Sequence, residues 1–306
     1  MTNKPRLHHF VPQFWIKKFA SADGKLWGYE WHDDRVKHRS SKAVMQIFDL
    51  YTLQPSGADD TSLESNELSK VDTQGARTFD RVLNGDRSEA VKADLASFLA
   101  VQIMRDPDTL SSYRPRTQEL TLHLLNALTA KDYASFSACF EKLFPGADIK
   151  ESEYNDIRGL GQAGAEQEIN NIITSLDAKG GIPELPFTDL IRSSSGRDII
   201  GQALLSLDWE IKTDANEGFI LGDAPVLFEK GAFRSGLRVP LSKTTALYLA
   251  PTAKSSSGIA SASAKSFEVE ALNYESAART RSWLVGDHTR LERTKNQVSA
   301  RGFPEI

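Results

Sequence analysis

A chain of 306 residues can bury one large core or two modest ones, and 40 % hydrophobic with 25 % charged residues is an ordinary globular mixture. The net charge of −4 argues against non-specific nucleic-acid binding over the whole surface, while leaving room for a local basic groove. A single cysteine, Cys139, excludes a disulfide within the chain and points to a reducing, cytoplasmic setting.

The N-terminus reads MTNKPRLHH, without the apolar stretch of a secretory signal. The longest apolar run, LASFLAVQIM at 95–104, is too short to span a bilayer and contains Gln102, so no membrane partner is expected. Residues 7–20, LHHFVPQFWIKKFA, set two adjacent histidines ahead of Pro12 and a run of large apolar side chains. Proline suits the first turn of a helix, and Phe14, Trp15 and Phe19 would anchor that helix in the core. The anchoring pins the histidines, with His9 expected inward and His8 more exposed. LWGYEW and RVKHRS then read as two hairpin strands, and LYTL at 50–53 as a third.

Helical spacing sets in from about Thr61: Leu68, Val71, Ala76, Phe79 and Leu83 recur up to the stop NGD. Ser88 to Arg105 is the clearest helix, with Val91, Leu95, Phe98, Leu99, Gln102 and Ile103 along one stripe and Pro107 at its end. Further helices are expected over 109–129, 131–143 and 151–177. KGGIPELP at 179–186 is a break, followed by a helix ending near Ser206. WEIKT, GFILGD, VLFEK, LRVPLS and ALYLAP are short strands between Gly, Pro, Asp or Ser. KSSSGIASASAKS at 254–266 reads as a loop or frayed helix start, VEALNYESAARTRSWLVGD as helix then strand, and the last twenty residues as a polar tail. The order β, α, β predicts a single α+β domain over 1–306, with a helical middle (61–206) packed on a sheet built from N-terminal (7–55) and C-terminal (207–287) strands, and a tail at 288–306.

HHFVPQFWIKKFA, SKVD, QIMRDP, FILGDAPV, RVPLSKTTALYL and LNYESAARTRSWLVGD, taken in that order over about residues 7–287, resemble the bacterial domain-of-unknown-function family 4238. The resemblance carries His9 and Pro12 onto an opening His-x-x-Pro motif. It carries Gln102, Arg105 and Pro107 onto Gln-x-x-Arg-x-Pro, and Asp223, Pro225 and Val226 onto Asp-x-Pro-Val. Asp72 stands where the family has Glu, and Gly222 where it has Ser. The family implies no activity.

Five polar residues thus sit in apolar sequence on four separated elements: His9, Asp72, Gln102, Arg105 and Asp223. Buried polar groups need partners, so convergence on one site is expected. Gln102 and Arg105, three apart, share a face near the end of one helix, and Arg105 offers a bidentate fork for phosphate or carboxylate. The leading expectation is a hydrolase-like site, in its most concrete form a divalent-metal phosphodiesterase or nuclease. There His9, Asp72 and Asp223 would hold Mg, Mn or Zn, His9 could instead serve as base, and Arg105 would stabilise phosphoryl charge. Two alternatives stand beside it. One is a metal-free pocket for a small anionic ligand. The other is a non-enzymatic interaction protein in which the set is a structural network, with Arg105 bridged to Asp72 or Asp223 and Asp223 capping a turn.

Overall fold

The structure, a computed structural model, describes residues 7–48, 50, 67–107, 109, 130–143, 150–159, 194–228, 236–251 and 258–299. The chain groups into two compact units, Met1–Tyr51 with Ser62–Asp106 and Ser193–Ile306 as the first, and Thr52–Thr61 with Pro107–Arg192 as the second. No helix among the described residues is long and apolar enough to cross a membrane.

The fold is α+β. In the first unit, strand β1 (Leu7–His9) is followed by the short helix α1 (Gln13–Lys17), then β2 (Leu26–Glu30), β3 (Arg35–Arg39) and β4 (Gln46–Phe48). Helices α2 (Ser69–Leu83) and α3 (Glu89–Met104) come next. The second unit contributes α4 (Tyr133–Leu143) and α5 (Glu151–Gly159). The first unit resumes with α6 (Ser194–Leu205), β5 (Asp208–Thr213), β6 (Leu221–Gly222), β7 (Leu237–Ser242), β8 (Thr245–Ala250) and β9 (Ile259–Ser263). Helix α7 (Ser266–Arg279), β10 (Trp283–Gly286) and α8 (His288–Ser299) complete it.

Strands from the two ends of the chain meet, as their patterns predict: β10 lies between β2 and β6 in a sheet ordered β3-β2-β10-β6. A second four-stranded sheet, β7-β8-β5-β9, is antiparallel except where β9 runs parallel to β5. A two-stranded ribbon pairs β1 with β4, His9 opposite Gln46.

Helix α3 forms where its stripe predicts. Ser88 caps it, its hydroxyl accepting from the Val91 N–H at 3.4 Å. Its Phe98 ring packs edge-on against Phe14 and Phe79, and Trp15 lies 5.0 Å from Phe79. Gly75 permits the close approach of α2, since a Cβ there would sit 2.4 Å from the Phe98 ring. Trp15 also donates its indole N–H to the Pro240 carbonyl at 2.9 Å, fixing α1 to β7. These contacts hold the N-terminal segment in the main core, where Phe10, Val11, Trp15, Ile16 and Phe19 are all buried. In the second unit, taken by itself, Tyr154 of α5 packs on Phe136 of α4 with ring centroids 5.4 Å apart.

Several expectations are corrected. Pro12 is not inside α1 but immediately precedes it, its carbonyl accepting from the Trp15 and Ile16 amides. Residues 259–263, read as loop or frayed helix, form β9, because pairing alongside β5 imposes the strand that the small side chains of IASAS do not announce. The tail is in large part the helix α8, whose Leu291 closes a small cluster with Tyr29, Ile220, Ala277 and Leu284. The strand expected at 50–53 has its last three residues outside the described residues, and β4 lies just before it. Most of the helix expected over 109–129, residues 160–177 of that over 151–177, the break at 179–186 and the end of VLFEK also lie outside them.

Candidate functional site

The five sequence-nominated residues all belong to the first unit, and four of them meet where β1 runs past the C-terminal turn of α3. Arg105, the C-cap of α3, is fully buried. Its Nη1 donates to Asp72 Oδ1 at 2.6 Å and its Nη2 to the main-chain carbonyl of His9 at 2.8 Å. One helical turn earlier, Gln102 is buried as well, and its Nε2 donates to the Phe10 carbonyl at 2.8 Å. His9 ends strand β1 opposite Gln46, and the Phe10 N–H reaches the Met45 carbonyl at 3.3 Å. The Arg105 and Gln102 side chains add bonds to the His9 and Phe10 carbonyls, tying this segment to the end of α3.

Asp72 is presented from the first turn of α2 and stays 27 % exposed, whereas the Arg105 side chain is 1 % exposed. The ion pair therefore has one wet and one dry end. Next to it, the His9 ring is half-buried and its Nε2 lies 2.9 Å from Gln13 Nε2. With the amide donating, Nε2 is the acceptor and the ring proton resides on Nδ1. That Nδ1 is buried without a hydrogen bond, although the Met45 and Val44 carbonyls lie near enough to favour a protonated ring. Burial, and then the positive charge of Arg105, outweigh those carbonyls and Asp72, and hold the imidazole below its ordinary pKa. His9 is thus neutral in the near-neutral range.

The ordering of the two histidines is the reverse of the sequence expectation. His8 is 1 % exposed and His9 is the half-buried one. Alternation along β1 places them on opposite faces, and the His8 face is the one turned inward. His9 still meets the expected neighbours, through its carbonyl to Arg105 and through the charges of Arg105 and Asp72 acting on its ring.

Asp223 is held elsewhere. It is 1 % exposed, and its Oδ1 accepts from the Arg281 N–H at 2.9 Å while Oδ2 accepts from the Ser282 and Trp283 N–H groups at 2.7 and 3.0 Å. Its own N–H returns to the Trp283 carbonyl at 3.1 Å. Asp223 therefore clamps the turn into β10, a long-range version of the turn-capping alternative. Burial pushes its carboxyl above the usual range, and the three amide donors work in the opposite direction.

Two residues that the sequence did not single out join these places. Arg281 donates from Nη2 to Asp106 Oδ1 at 2.7 Å, and Asp106 directly follows Arg105. The arginine stands in the quoted ESAARTRSW run between a helix and a strand, and the aspartate in QIMRDP, so each lay inside a motif as an unassigned charge. Gln13, facing His9, carried no signal beyond its place one residue after Pro12.

Among the described residues, no group of three or more His, Cys, Asp or Glu side chains is placed to hold a metal ion. The arrangement's dry end binds main chain, and its wet end consists of Asp72, Gln13 and the His9 ring. A family model described as a protein of unknown function, DUF4238, matches residues 7–290. No curated protein and no solved structure matches the chain.

Proposed function

The chain belongs to the DUF4238 family, and from that premise we propose that its motif residues are a structural clasp in a protein that acts by binding rather than by turnover. One observation carries this reading: Arg105, Gln102 and Asp223 direct buried hydrogen bonds at the protein's own main chain, at His9, Phe10 and residues 281–283. A catalytic acid, base or phosphate-gripping arginine needs a donor or lone pair turned toward a cleft. Arg105 is instead buried with its fork divided between Asp72 and the His9 carbonyl, and an incoming anion would have to displace Asp72. The clasp fixes an N-terminal segment that would otherwise fray, at a cost of about 1–2 kcal/mol per ordered residue. The test is equilibrium unfolding of Gln102→Ala, Arg105→Gln and Asp223→Ala. The clasp predicts that all three are destabilised, and variants of near-parental stability would remove it.

A metal-assisted phosphodiesterase is the second reading, favoured by the wet end. Asp72 keeps part of its surface, and the neighbouring His9 ring is neutral, the form in which imidazole ligates a divalent cation or takes a proton. Asp223, with both oxygens taken by amides, does not join that pair. Mg, Mn and Zn should then raise the melting temperature relative to EDTA, and His9→Ala should abolish the shift together with any hydrolysis of a phosphodiester. Equal melting in all four conditions would set this reading aside.

A further inference from the structure

Arg281 is bound at both ends. Its main-chain N–H is held by Asp223, and its guanidinium holds Asp106 at 2.7 Å. Asp106 is the next residue after Arg105, whose N–H closes the last helical bond of α3 to the Val101 carbonyl at 2.9 Å. Arg105 in turn holds the His9 carbonyl, and Gln102 the Phe10 carbonyl. A continuous path of bonds thus runs from β1, through the C-terminal turn of α3, to the turn that enters β10. The Asp106–Arg281 pair is partly buried, with side chains 18 % and 23 % exposed, and so is screened less than a fully exposed pair.

We propose that the Arg281–Asp106 pair couples the two clasped places, so that the N-terminal strand β1 and the 281–283 turn loosen together as one cooperative unit. The proposal rests on the clasp reading of Arg105 and Gln102. The physical basis is the C-terminus of α3. The last carbonyls of a helix lack intrahelical partners, and a final turn that is not tethered frays. Asp106 is tethered by Arg281. Loosening that tether slackens the backbone that aims the Arg105 fork at His9, so the loss reaches β1 through the end of α3. A partner that grips either place would then tighten the other, the linkage expected of two sites sharing one opening equilibrium.

Amide hydrogen exchange on the full chain tests this. Arg281→Gln removes the guanidinium but leaves the N–H that Asp223 holds, so it cuts the link and spares the Asp223 turn's own bonds. The expected result is exchange roughly tenfold or more faster across residues 7–10, the size of one lost charge-assisted hydrogen bond. Asp106→Asn should reproduce the effect from the other side. Faster exchange confined to residues near 106 and 281–283 in both variants overturns the coupling. Arg105→Gln separates the two failures. If it accelerates exchange at 7–10 while Arg281→Gln and Asp106→Asn do not, the clasp stands and the coupling falls. If it does not, both fall.

Discussion

Arg105 lies buried against a half-open Asp72, Nη1 to Oδ1 at 2.6 Å, while the other arm of its fork reaches the His9 carbonyl. Removing the carboxylate leaves a buried guanidinium short of its counter-charge. Breaking a fully buried pair costs about 3–5 kcal/mol, and the partial exposure of Asp72 moves Asp72→Asn to the lower part of that range. Arg105→Lys should lose nearly as much, because one ammonium cannot reproduce a planar fork aimed at two acceptors. Urea unfolding midpoints at constant slope check both.

Asp223 supplies both oxygens to three amides. In Asp223→Asn one oxygen becomes an NH2 group facing N–H donors, so at least one buried amide is orphaned, at a cost of about 1–3 kcal/mol. Asp223→Ala orphans all three and should cost more. A thermal melt ordered wild type, Asn, Ala is expected, and an Asn variant as stable as the parent would contradict the clamp.

At Gly222, a Cβ would lie 2.4 Å from Thr280 Oγ1 and 2.9 Å from the Ser276 carbonyl, to which that hydroxyl donates at 2.7 Å. A serine at this position, which the resemblance set out from the sequence leads one to expect, therefore does not fit beside Thr280. Gly222→Ser should cost about 1–3 kcal/mol by overpacking. Gly222→Ser combined with Thr280→Ala should recover part of the loss, which a double-mutant cycle in urea measures.

Stability should also fall in mild acid. Burial and Arg105 hold His9 below its ordinary value of 6.5, so the unfolded chain takes up the proton first as pH falls. The contribution is full above the unfolded value and declines as pH drops from about 6.5 toward the folded pKa. His9→Gln, which cannot titrate, should show a shallower decline over that window in pH-dependent unfolding. An unchanged slope would mean that His9 is not the group responsible.

Elements with a strong local signature were legible. The apolar stripe Val91–Ile103 announced α3, and the short apolar runs LRVPLS and ALYLAP, bounded by Gly, Pro or Ser, announced β7 and β8. Elements that exist only through a distant partner were not. IASAS has little side-chain pattern and becomes β9 because β5 lies alongside, and α8 is secured by packing Leu291 on β2 and β10 residues. The same divide runs through the site. The demand of Gln102 and Arg105 for partners could be read from their apolar surroundings, and Asp72 was among those named. The direction of β1 was not readable, since one residue of register decides which histidine faces inward. Nor was the long-range closure of Asp223 on 281–283, which a local Asp-x-Pro turn did not suggest.

On the clasp reading, Arg105 and its neighbours hold main chain in place. The most direct measurement is the unfolding free energy of Arg105→Gln in urea, alongside its thermal response to Mg, Mn, Zn and EDTA. The clasp predicts a loss of about 3 kcal/mol that is the same with and without the cations. A variant of parental stability that has lost a cation-dependent or phosphate-dependent shift present in the parent would contradict it.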